Sequence, residues 1–68
     1  MAKNYRIEYM DSARTMGVVR VDLGIPILGW SRDLERGQVH VMSRMCSQEW
    51  RGTDLEETIE RALSEVDK

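Results

Sequence analysis

Two residue types with reactive chemistry occur once each in this chain: His40 and Cys46. A thiolate nucleophile needs a base within hydrogen-bond reach. Alternation from residue 38 to 46 reads as a strand, and residues six apart on one strand point the same way. At ~3.3 Å per residue they stand roughly 20 Å apart, so no Cys–His couple is expected. Cys46 then reads as a partly buried thiol acting as a small apolar group, and His40 as a surface residue. One His and one Cys cannot build a closed four-ligand metal site either. A single cysteine excludes a disulfide within the chain and fits a reducing compartment.

Carboxylates are numerous, but six of the twelve fall in residues 53–68, spread over what reads as the wet face of a helix. A solvated face explains them; an imitation of a phosphate backbone is the sharper alternative. The five glycines, Gly17, Gly24, Gly29, Gly37 and Gly52, are dispersed. None belongs to a phosphate-cradling cluster, and no Lys-Ser/Thr follows them as a P-loop requires. The expectation is therefore no enzyme, no cofactor and no metal.

Trp30 and Trp50 are the largest apolar side chains in a sequence without Phe, and each lies close to an arginine, Arg32 or Arg51. Trp and Arg together are enriched at interface hot spots. Each Trp is either core filling or an anchor for a partner. Eight of the ten basic residues are Arg, the side chain suited to planar, bidentate contacts. Residues 1–52 sum to +2 (eight basic, six acidic) and residues 53–68 to −4 (two basic, six acidic). The N-terminal part is mildly basic and the C-terminal part acidic.

Alternating apolar residues predict strands over most of the chain. The first, 4–10, has Tyr5, Ile7 and Tyr9 on one face. A turn at 11–14 leads to the second, 17–23, with Val19, Val21 and Leu23 on one face and Val18, Arg20 and Asp22 opposite. Gly24 marks a bend or bulge. A short strand at 25–30 would begin at Pro26 or lie at an edge, because proline cannot donate to a ladder. Ser31 to Gly37 has capping residues at both ends and suggests one helical turn in a long connection. A further strand, 38–46, turns Val39 and Val41 inward. Leu55, Ile59, Ala62, Leu63 and Val66 recur at helical spacing and predict a helix over 53–66. Thr53 or Asp54 would cap it, and Glu56 and Glu57 suit the positive end of its dipole. The expected fold is α+β: an antiparallel sheet of three to four strands with one C-terminal helix on one face, in a single domain of 68 residues.

One helix leaves the other sheet face open. His40, Met42, Arg44 and Cys46 are expected there, with Met10 and Val18 from the first two strands. Met supplies adaptable apolar contact, and exposed apolar patches mark association sites. The residues expected to meet a partner are Trp30, Arg32, Arg36, His40, Met42, Arg44, Trp50 and Arg51. The reading is a small non-catalytic protein-binding module. An inhibitor or accessory subunit of a larger, nucleic-acid-processing complex fits it, as does a phage-encoded blocker. A single-stranded nucleic-acid binder is the alternative, using Arg6, Arg20, Arg44 and Arg51 with a Trp to stack on. Self-association as a homodimer or structural protein is the third. The first residues show no leader pattern, and the longest apolar stretch, 25–30, is too short to span a bilayer. The expected place is the cytoplasm of a cell or an infected host.

The run Arg51-Gly52-Thr53-Asp54-Leu55-Glu56-Glu57-Thr58-Ile59-Glu60-Arg61-Ala62-Leu63 resembles the helix start of HicB-type antitoxins, over about a fifth of the chain. The resemblance implies a three-strand sheet followed by a helix and a small RNA-cleaving partner. The family's Pro-containing turn after the second strand is not reproduced, and no appended DNA-binding segment is visible.

Overall fold

The computed structural model describes residues 5–21 and 24–66. Five strands follow one another as an antiparallel meander: β1 (Tyr5–Tyr9), β2 (Met16–Val21), β3 (Pro26–Asp33), β4 (Gln38–Ser43) and β5 (Glu49–Gly52). Among the described residues one helix, α1 (Leu55–Val66), follows them. The class and the C-terminal helix agree with the sequence. The strand count does not: there are five, not three to four.

The additional strand is β5. Its four residues, Glu-Trp-Arg-Gly, are too few to display alternation, and its pairing with β4 fixes it instead. Trp50 lies opposite Val41 and Gly52 opposite Val39. The second correction concerns Ser31 to Gly37, which forms no helical turn. β3 runs on to Asp33, and a tight turn at 34–37 leads straight into β4. The Asp33 carboxylate accepts from the main-chain N–H of Glu35 (3.0 Å) and Arg36 (3.2 Å). Gly37 closes the turn at φ +64°, a conformation glycine adopts without steric cost. Of the two capping residues read from the sequence, Gly37 does end the segment, but Ser31 stands within β3, and Asp33 supplies the acceptor that caps a hairpin turn. Pro26 begins β3, which is the central strand, so its missing donor falls at the strand's end. Gly24 is a bend, as read from the sequence, with its N–H donated to the Val21 carbonyl; the bulge in the β2–β3 ladder lies elsewhere, between Val19 and Arg20. Asn4, Asp22 and Leu23, assigned to strands from the sequence, lie outside the described residues.

Alternation divides the sheet as the sequence implies. Val19, Leu28, Trp30, Val39, Val41 and Trp50 are buried against Leu55, Ile59, Ala62 and Leu63 of the helix. Asp54 caps α1 by accepting from Glu57 N–H at 2.9 Å. Buried Thr58 donates its hydroxyl to the Asp54 carbonyl (2.7 Å) and sits over Gly52, where a side chain would collide with it. The acidic helix is tied to both borders of the sheet. Tyr5 on β1 donates to Glu60 (3.1 Å), and Trp50 Nε1 on β5 donates to Glu65 (2.9 Å). No helix among the described residues is long and apolar enough to cross a membrane.

Candidate functional site

The face without a helix is built from the strand positions that alternate with the core. Register places Glu8, Val18, Gly29, Met42 and Glu49 in one row across all five strands. A second row runs Met16, Ser31, His40, Arg51. The middle of the first row is apolar or small, and its ends are charged. Glu8 accepts from Arg20 Nε through both carboxylate oxygens at 3.0 Å. At the other end Glu49 lies 2.7 Å from His40 Nε2 and 3.6 Å from Arg51. The His40 hydrogen bond, then its charge, hold the Glu49 carboxyl below the usual carboxylate range. Met42 is 40% exposed between these groups.

Six of the eight residues expected to meet a partner divide into three groups. His40, Met42 and Arg51 come together on the open face, around Glu49. Arg32 and Arg36 lie at the β3–β4 hairpin end: Arg36 pairs with Asp33 at 3.7 Å, and Arg32 lies over the Trp30 ring, 5.6 Å from its centre. Arg44 is exposed just beyond β4, with its N–H donated to the Ile27 carbonyl. The open-face strand ends at Ser43, so neither Arg44 nor Cys46 continues its row.

Trp30 and Trp50 are corrections as partner contacts. They are only 2% and 7% exposed. β3 is longer than the sequence suggests, so Trp30 stands mid-strand, and its position shares the face of Val41 and Leu28. Its indole occupies the space above Gly17, where an added Cβ would come within 2.8 Å of Cζ2. Tyr9 meets it edge-on, with ring centres 5.5 Å apart, and Arg14 lies over Tyr9 at 5.1 Å. The ladder Arg14–Tyr9–Trp30–Arg32 seals this end of the core, and the Arg32 Nε–H bond to the Arg14 carbonyl (2.7 Å) ties its two ends. With both indoles inside, neither serves as a stacking platform for bases.

Cys46 is also corrected. It is exposed, in the turn between β4 and β5, and not partly buried. The Ser43 hydroxyl and then the Gln48 main chain hold its thiol below the ordinary range. It shares no partner with His40. Among the described residues, no three His, Cys, Asp or Glu side chains converge as a metal site.

An open groove of about 580 Å³ wraps the hairpin end of this face, between Arg32, Asp33, Gln38, His40, Arg51 and Thr53. Sequence reasoning missed Asp33, Gln38 and Thr53, because only the β3–β4 hairpin and β5 bring them beside His40. It also missed Glu49, which organises the His40–Arg51 cluster from a strand the sequence did not display. No protein-family model matches this chain, and no match is found among curated proteins or solved structures.

Proposed function

We propose that this chain is a small non-catalytic protein-binding module, an inhibitor or accessory subunit of a larger protein assembly, acting through the open face of its sheet. The observation that carries this reading is the row Glu8–Val18–Gly29–Met42–Glu49. A centre of apolar and small residues bordered by ion pairs is the anatomy of a protein interface: a desolvated middle and a polar rim. Met42 supplies adaptable contact in the centre. His40, Glu49 and Arg51 supply orientation at one border, and Arg32 and Arg36 extend the surface around the hairpin.

Affinity capture from the source cells, read by mass spectrometry, identifies the partner. Met42→Ala with Arg51→Ala should weaken that complex roughly tenfold or more. The melting temperature should stay in place, because both side chains are exposed. Unchanged affinity removes this face from consideration; the absence of any captured partner sinks the reading. Trp30 is unsuited to this test, since its truncation would open the core.

A further inference from the structure

The sheet is open at both sides, and its two edge strands are not equivalent. The Ser43 N–H donates to the Gln48 carbonyl. Alternation of an antiparallel ladder then turns the main-chain groups of Glu49 and Arg51 to the outer side of β5. That side is partly closed, because Arg61 of the helix donates its guanidinium to the Arg51 carbonyl. At the other edge, the Met10 N–H donates to the Met16 carbonyl at 2.9 Å. By the same alternation Arg6 and Glu8 bond to β2, while Tyr5, Ile7 and Tyr9 point N–H and C=O outward. No described residue covers these groups. An uncovered row of this kind is a template for another strand.

We propose that this template takes a second copy of the same chain: two β1 strands pair antiparallel about Ile7 and join two five-stranded sheets into one. The residues Tyr5-Arg6-Ile7-Glu8-Tyr9 are self-complementary under that two-fold axis. Tyr5 falls opposite Tyr9 of the second copy, Ile7 opposite Ile7, and Arg6 opposite Glu8. The outward residues are the ones that meet, so Tyr5, Ile7 and Tyr9 each exchange both main-chain hydrogen bonds with their opposites. Aromatic, aliphatic and opposite-charge pairs all stabilise cross-strand contacts. The neighbouring registers are disfavoured by charge. An axis through Arg6 sets Arg6 against Arg6, and an axis through Glu8 sets Glu8 against Glu8. A shift by one residue turns the core-facing side chains to the wrong face. The axis stands perpendicular to the sheet, so both helices lie on one side and both open faces on the other. The open faces stay exposed, with Glu8 of the proposed partner surface now beside the seam, and this inference does not depend on that reading.

Sedimentation or light scattering over a wide concentration range tests it. The expected mass is twice the 7.9 kDa of one chain. Arg6→Glu alone, or Glu8→Arg alone, places like charges opposite each other and should raise the dimer dissociation constant roughly tenfold or more. An equimolar mixture of the two variants restores both opposite-charge pairs and should return the dimer. Because Glu8 also binds Arg20, circular dichroism must show that Glu8→Arg is folded. If it is not, Ile7→Pro serves instead, its folding checked in the same way because Ile7 also packs against the core; it removes an outward N–H that β2 does not use and should give a folded monomer. A monomer at every concentration overturns the proposal, as does a dimer indifferent to Arg6→Glu and Ile7→Pro.

Discussion

Gly17 and Gly29 offer a controlled comparison, because both stand within central strands and the same methyl can be added to each. At Gly29 the nearest atom to a new Cβ, outside its chain neighbours, is the Gly17 carbonyl oxygen at 4.0 Å. There is room, and replacing a mid-strand glycine by alanine should stabilise by roughly 0.5–1 kcal/mol through reduced freedom of the unfolded chain. At Gly17 the same methyl would overlap the Glu8 carbonyl oxygen and press on Trp30. The carbonyl belongs to β1, and the indole is enclosed by Tyr9 and Arg32, so neither yields cheaply. Overpacking of this kind costs about 1–3 kcal/mol, and shifting the Tyr9–Gly17 pair adds to it. The two variants should differ by roughly 2–4 kcal/mol. For a domain of this size that is on the order of 10–25 °C in melting temperature, with Gly17→Ala the lower. Thermal and denaturant unfolding, followed by the fluorescence of the two buried tryptophans, measures the difference. Equal stability would refute the close approach of the Glu8 carbonyl and of Trp30 to Gly17.

Asp54→Ala removes the acceptor for the Glu57 N–H and should cost about 1 kcal/mol, read as a fall of roughly 4–8 °C in melting temperature. On the acid side, Glu49 and Asp11 are both held below the usual carboxylate range, Glu49 by His40 and Asp11 by the Thr15 hydroxyl and main chain. Their contribution is present at neutral pH and lost as pH falls through these lowered values. The melting temperature should therefore drop below about pH 4, and less steeply in Asp11→Asn or His40→Gln. Burial, then the Glu60 hydrogen bond and the charges of Glu60 and Glu56, raise the Tyr5 phenol. The stability this confers is complete below about pH 10 and lost as pH rises through the raised value. Ultraviolet titration should show Tyr5 ionising late, and Glu60→Gln should bring it back toward the ordinary range. The Cys46 thiol should react with alkylating reagents in the folded protein at neutral pH, and Ser43→Ala should slow it, since the lowered pKa rests first on that hydroxyl.

Much of the fold was legible because it rests on local periodicity. The stripe Leu55, Ile59, Ala62, Leu63, Val66 and the cap at Asp54 specify α1 before any partner is known. The alternation of Val39 and Val41 with His40 and Met42 assigns both faces of β4, and Val18 falls in the same row as Met42, across Gly29, as its parity requires. The site was legible only to that extent. His40, Met42 and Arg51 share a face, but that they surround Glu49 depends on β5, whose four residues carry no period of their own. The Ser31–Gly37 segment contains residues that cap either a helical turn or a hairpin. The pairing of β3 with β4 across it decides for the hairpin, and the same pairing carries Trp30 from a strand end into the core. Spacing along the chain fixes which way a side chain points relative to its neighbours. What lies in that direction is set by strands distant in sequence, and so the burial of both tryptophans and the exposure of Cys46 were decided by the tertiary structure alone.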